Sequence, residues 1–271
     1  MKNHSALMGI TLAVCSLGFA QDSGNERVVV PARNSTHPRK LDVNLMGGSI
    51  TVKGYSGKEV IVETRGGGKS APAPPEDRRA DGLRRLDVPV SGLSVEEQDN
   101  VVTVRMQRAN RGSSVAITTP VDTALTLHTM GGDIEVEGVK GEMDIDSMNG
   151  KITLNNVSGS VLAHSMNGGM KVVMDAVDQT KPLSFSTMNG TIDVTLPASF
   201  KANAKIRTDH GEIYSDFDFK LGGGAITQKN DTSDGRFKVT IDRTITGTIN
   251  GGGTEATFKT YNGTIYIRKG K

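Results

Sequence analysis

Three side chains able to ligate a metal or carry a proton stand at matching places in the chain. His128, Asp146 and His164 each precede a Ser/Thr-Met pair: Thr129-Met130, Ser147-Met148 and Ser165-Met166. If these copies stack, a carboxylate lies between two imidazoles, which would raise the imidazole pKa values or contribute to a metal site. Two strand spacings separate the histidines, about 9.6 Å, a long reach for one ion. A solvated column of alternating charge that favours correct register is the better account, so no metal and no cofactor is expected.

A second group is acidic: Asp133, Glu135, Glu137, Glu142, Asp144 and Asp146. Glycoside-cleaving enzymes place paired carboxylates in a groove. The column through Glu135 continues as Thr153, Lys171 and Asp193, so no carboxylate pair recurs and a charged solvent face is the simpler reading. The Gly/Asp nonapeptide of calcium-binding repeats is absent. So are a phosphate loop, Gly-x-Ser-x-Gly, a zinc helix and a cysteine pair. The chain is therefore read as a non-enzyme.

A third group is apolar. Met130, Met148, Met166 and Met188 each follow a Ser or Thr. Packing over a bend is the favoured account of these methionines. Exposed, they would form an adaptable stripe for partners, and they are the strongest single candidate for partner binding.

These residues share a repeated phrase. Met-Asn-Gly occurs at 148–150, 166–168 and 188–190, with Met130-Gly131-Gly132, Asp209-His210-Gly211 and Tyr261-Asn262-Gly263 as looser copies. The last glycine falls at 132, 150, 168, 190, 211 and 263, so the first steps are 18, 18, 22 and 21 residues. A period in this range means stacked units. Each copy reads as strand, turn, strand. Leu125, Leu127 and Thr129 alternate with polar residues before the turn, and Ile134 and Val136 do so after it. Asn-Gly serves the turn because both residues tolerate positive φ.

Asn-Gly between strands commonly marks a hairpin, and an antiparallel sandwich or meander is the alternative fold. A hairpin series would alternate its turns between two ends, whereas an identical corner every ~20 residues suits a coil. The expected fold is all-β, a single-stranded β-solenoid of ~20-residue rungs with Asn-Gly corners. Asn149-Gly150, Asn167-Gly168, Asn189-Gly190 and Asn262-Gly263 form its turn ladder, and like residues pass hydrogen bonds between rungs.

The chain has 271 residues with 33 Gly, no Trp and 4% aromatics, which implies a thin core of Ile, Val, Leu and Met. The net charge of +2 is too small to argue for nucleic acid. Residues 1–20 have the pattern of a secretory signal. Lys2 and His4 precede an apolar run, and Gly18-Phe19-Ala20 predicts cleavage before Gln21. The run is too short for a transmembrane segment. Cys15, the sole cysteine, would leave with the signal unless it carries a lipid. Residues 21–40 read as a flexible leader and 41–271 as the β-solenoid domain, interrupted by a Pro/Gly-rich loop at about 66–83. The polar stretch from Leu221 to Gly235 reads as an irregular excursion, and Arg268-Lys269-Gly270-Lys271 as the charged end of a last rung.

Together the leader, the early Met46-Gly47-Gly48-Ser49-Ile50 copy, the Ser/Thr-x-Asn-Gly-x-Ile copies and the spacers Gly138-Val139-Lys140-Gly141 and Asn156-Val157-Ser158-Gly159 resemble the bacterial "putative adhesin" β-strand-repeat family, a domain of unknown function. The resemblance covers roughly 41–271. It implies a β-solenoid at the bacterial envelope or outside the cell, and it supplies no catalytic residues. The expected function is surface presentation by an exported protein in the periplasm, at the cell surface or secreted. Its partner would be an envelope component, a glycan or a protein. The competing readings are a carbohydrate-active enzyme on the same fold and a structural protein that self-assembles into homo-oligomers.

Overall fold

The computed structural model describes residues 26–32, 38–65, 93–106, 114–222, 228–231, 238–241 and 244–270. The signal sequence at 1–20 and the Pro/Gly-rich loop at 66–83 lie outside the described residues. All regular structure among them is β. Twenty strands join one solenoid-like sheet, and Gln228–Asp231 pairs with Lys238–Ile241 as a separate antiparallel ribbon.

Alternation dictates which side chains go inside. Thr123–Thr129 buries every second residue, as do Ile134–Glu137 and Ile192–Leu196. Successive Cβ atoms point to opposite faces of a strand, so these runs present one apolar face each. Leu125, Leu127, Met143, Ile145, Leu183 and Phe185 come from one run of strands, and Ile134, Val136, Ile152, Leu154, Ile192 and Val194 from the other. All of them join a single buried cluster. Phe185 and Phe258 stack inside it with ring centroids 5.6 Å apart.

The sheet has two runs of parallel strands. The first run passes through Val101–Met106, Arg39–Leu45, Thr123–Thr129, Lys140–Asn149, the second half of Ile152–Asn167, Leu183–Asn189, Thr254–Asn262 and Ala202–His210. The second passes through Ser114–Pro120, Ser49–Tyr55, Ile134–Glu137, the first half of Ile152–Asn167, Met170–Val177, Ile192–Leu196, Ile265–Lys269 and Ile213–Ser215. Register is held across copies. Asn149 lies opposite Asn167, Asn167 opposite Asn189 and Asn189 opposite Asn262. Like residues therefore line up, and backbone approaches backbone closely at the glycines. A Cβ on Gly168 would sit 2.0 Å from the Gly150 carbonyl oxygen.

Stacking order departs from chain order at both ends. Val101–Met106 and Ser114–Pro120 lie outside the earlier Arg39–Tyr55 copy, which packs directly on residues 123–137. The C-terminal copy, residues 254–269, inserts between 183–196 and 202–215. The expected charged end of the stack is thus an interior pair of strands, with Ile265–Lys269 bonded on both sides. Repeated motifs fix who can neighbour whom but not the order, because every copy offers the same pattern to its neighbours.

Antiparallel strands close the stack instead. Leu93–Gln98 covers Val101–Met106 through a turn at Asp99 and Asn100, both with positive φ. Val60–Arg65 and then Arg27–Val30 cover Ser114–Pro120, and Ile245–Ile249 and then Phe219–Leu221 cover Ala202–His210. Short antiparallel covers limit exposed edge, a device against edge-to-edge pairing. Two expectations change accordingly. The leader at 21–40 contains the strand Arg27–Val30, and Arg39 at its end is buried, donating to the carbonyls of Lys58 and Pro31 at 3.2 Å each. The excursion from Leu221 carries the strand Gln228–Asp231.

Candidate functional site

The site is built from the residues that end the first-run strands. Thr129, Ser147, Ser165, Thr187 and Thr260 are buried. Most donate their hydroxyl to a glycine carbonyl of the adjoining copy: Thr129 to Gly48 at 3.1 Å, Thr187 to Gly168 at 2.9 Å, and Thr260 to Gly190 at 3.1 Å. Alternation then turns the next residue outward. That residue is Met130, Met148, Met166, Met188 or Tyr261, and Met46 stands likewise after the buried Leu45.

The methionines are not tucked over the bend. Met46 is 63% exposed, Met130 38%, Met148 37%, Met166 43% and Met188 51%, with Tyr261 at 46%. They stand in one line. Met130 N–H donates to the Leu45 carbonyl, and the flanking pairs Ser147/Ser165 and Asn149/Asn167 place Met148 beside Met166. Thr187 and Asn189 likewise set Met188 beside Met166 on one side and Tyr261 on the other. Met46 was absent from the sequence-based stripe because Leu45 precedes it where the other copies have Ser or Thr; pairing of Leu45 with Thr129 reveals it.

On one side of this line runs the amide ladder. Asn149 Nδ2 donates to the Met130 carbonyl at 3.1 Å, Asn167 Nδ2 to Asn149 Oδ1 at 3.0 Å, Asn189 Nδ2 to Asn167 Oδ1 at 2.9 Å, and Asn262 Nδ2 to Asn189 Oδ1 at 2.8 Å. On the other side lies a polar column, in order Asn44, His128, Asp146, His164, Ser186, Lys259 and Arg207. Lys259 separates Ser186 from Arg207, which chain order would have made neighbours. His128 Nδ1 lies 3.8 Å from Asp146 Oδ2, whereas His164 Nδ1 turns to Ser186 Oγ at 2.9 Å. The three do not converge, and among the described residues no group of three or more His, Cys, Asp or Glu is placed to hold a metal.

The acidic residues are split between the two runs. Asp133, Glu135 and Glu137 lie on or beside the second run, where Asp133 accepts from the Lys151 N–H at 2.8 Å and Glu137 pairs with Lys53 at 2.9 Å. Glu142, Asp144 and Asp146 lie on the first, where Glu142 pairs with Lys181. They do not share a groove. A different acidic pair does: Glu96 and Asp99 line a shallow depression of about 370 Å³ on the covering hairpin, with Arg105, Gln98, Val101 and Thr103. Tyr214 and Tyr266 stack at 5.3 Å on the second run, with Arg268 over Tyr266 at 5.1 Å and paired to Asp193 at 2.7 Å. A hydrogen bond to Glu212 raises the Tyr214 phenol above its ordinary value. Sequence order hides this cluster, since Tyr214 and Tyr266 meet only through the inserted C-terminal copy.

Among the described residues no helix is long and apolar enough to cross a membrane. No curated protein matches the sequence. Solved structures similar to this chain include a "putative cell adhesion protein" from Clostridium sporogenes ATCC 15579. It is 11% identical, with 91% of this chain and 100% of that one covered and a TM-score of 0.49. A "putative adhesin" from Bacteroides fragilis NCTC 9343 is 13% identical, with coverage of 92% and 98% and a TM-score of 0.36. A family model described as Toastrack DUF4097 matches residues 6–268, and the chain belongs to that family.

Proposed function

We propose that this protein is exported and works at the bacterial envelope or beyond it as a non-enzymatic surface-presenting protein. Its partner-binding stripe is Met130, Met148, Met166 and Met188, extended by Met46. The observation that carries the reading is the exposure of five adjacent methionines in one line, each more than a third accessible. Met is flexible and polarizable, so a Met stripe adapts to irregular apolar surfaces. A contiguous exposed apolar line on an otherwise polar protein is the pattern of an interaction site. The partner is an envelope component, a glycan or a protein. In this reading the solenoid is a single-stranded coil of ~20-residue rungs turning at the Asn-Gly corners, a stiff rod that holds the stripe straight. The test is co-sedimentation of the purified protein with isolated bacterial envelopes. Saturable binding that is lost in a folded Met148→Ser/Met166→Ser variant supports the reading, and absence of binding by the unaltered protein overturns it.

One observation favours a carbohydrate-active enzyme as the second reading: Glu96 and Asp99 share a depression with Arg105. Glycoside hydrolases use a pair of Asp/Glu carboxylates that flank the bond they cleave. Glycan cleavage abolished by Glu96→Gln or Asp99→Asn, with folding unchanged, would establish it.

A further inference from the structure

We propose that the line Met46, Met130, Met148, Met166 and Met188 is a thioether site for a soft monovalent cation, Cu(I). The inference rests on the reading of this line as the working surface and names a ligand for it. Its starting point is uniformity. Eleven methionines are present in the chain, and five of them occupy five consecutive places in one column. The core columns beside it are mixed. One runs Val43, Leu127, Ile145, Ala163 and Phe185, because burial asks only for apolar volume. The outward column runs Asn44, His128, Asp146, His164 and Ser186, because solvent accepts any polar group. Adaptable packing against a partner favours Met over Leu, Ile or Val, but it does not ask for Met at every place.

The other near-uniform column shows what imposes identity here. Asn149, Asn167, Asn189 and Asn262 are alike because each amide bonds the next along the stack. Methionine sulfurs have no such bond to make with one another, but neighbours share a ligand if a thiophilic ion sits between them. Soft thioethers suit Cu(I), whereas calcium and magnesium take carboxylate, carbonyl and water oxygens and zinc takes thiolate, imidazole or carboxylate. The geometry fits. Adjacent strands lie about 4.8 Å apart, and two metal–sulfur bonds in line span about 4.6 Å, taking about 2.3 Å for each. Met side chains are long and unbranched, so small mismatches cost little. His128 and His164 stand two residues before Met130 and Met166 on the same outward side.

The test is anaerobic competition of the full-length protein against a chromophoric Cu(I) chelator, with Zn(II) as the control ion. The expected result is withdrawal of Cu(I) from the chelator, no uptake of Zn(II), and loss of Cu(I) withdrawal in Met130→Leu/Met148→Leu/Met166→Leu. The leucine variant keeps the stripe apolar, and circular dichroism verifies its fold. Failure of the unaltered protein to take Cu(I), or full retention by the leucine variant, overturns the proposal. X-ray absorption of the loaded protein without sulfur among the nearest neighbours does the same. Envelope sedimentation of the unaltered protein separates the two readings: envelope binding without Cu(I) uptake overturns the Cu(I) inference alone, and Cu(I) uptake without envelope binding overturns the surface-binding reading alone.

Discussion

Asn189 donates its side-chain amide to the side-chain oxygen of Asn167 at 2.9 Å, although 22 residues separate them in the chain. Asn167 passes the pattern on to Asn149. A residue in the middle of such a ladder makes two bonds, and one at its end makes fewer. Asn167→Ala removes its donation to Asn149 and leaves the exposed Asn189 amide to water. At about 0.5–1.5 kcal/mol per net hydrogen bond, the loss is about 1–3 kcal/mol. Asn262→Ala removes the donation to Asn189 and costs roughly half as much. Urea unfolding of the two variants measures the difference.

The buried hydroxyls make a sharper contrast. Thr187→Val leaves the half-buried Gly168 carbonyl without its 2.9 Å donor and is expected to cost about 0.5–1.5 kcal/mol, the range for one net hydrogen bond. The Ser147 hydroxyl is buried and already has no hydrogen-bond partner. Ser147→Ala is therefore expected to be neutral or slightly stabilising. Thermal melts that rank the two substitutions equally would contradict this account of the column.

Asp178 supplies a pH prediction. The Thr180 hydroxyl donates to its carboxylate at 2.6 Å and the Thr180 backbone N–H at 3.0 Å. These bonds hold the Asp178 carboxyl below its ordinary value against a small opposing effect of burial, and the Lys181 charge assists. A depressed folded-state pKa contributes stability above the unfolded value, and that contribution disappears as pH falls through the folded value. Titration by nuclear magnetic resonance should find Asp178 ionised below the usual carboxylate range, and Thr180→Val should move its midpoint upward.

Much of the fold was readable because each position is written several times. The alternation around Leu125, Leu127, Ile134 and Val136 recurs along the chain, so the strands and their inward apolar faces follow from repetition. Stacking order did not follow. The copies at 49–55 and 265–269 are interchangeable with the others in pattern, and their places depend on long connections and antiparallel covers that carry no periodic signal. Arg39 was hidden for a related reason: its carbonyl partners at Lys58 and Pro31 come from loops. The exposure of the methionines was undecided in the sequence because a corner breaks simple alternation. The buried residue before each one, Leu45 or a Thr or Ser, settles it, since a side chain committed inward turns its neighbour out.

Methionine oxidation tests the central claim most directly. A brief peroxide pulse converts accessible methionines to sulfoxide, and the chain carries its own buried controls in Met106, Met143, Met170 and Met174, each at most 5% exposed. Mass spectrometry is expected to find Met46, Met130, Met148, Met166 and Met188 oxidised well ahead of those four in the free protein. The same five should be protected when the pulse is given in the presence of isolated envelopes. Equal oxidation of both groups, or an unchanged pattern on adding envelopes, would contradict an exposed methionine line that binds an envelope partner.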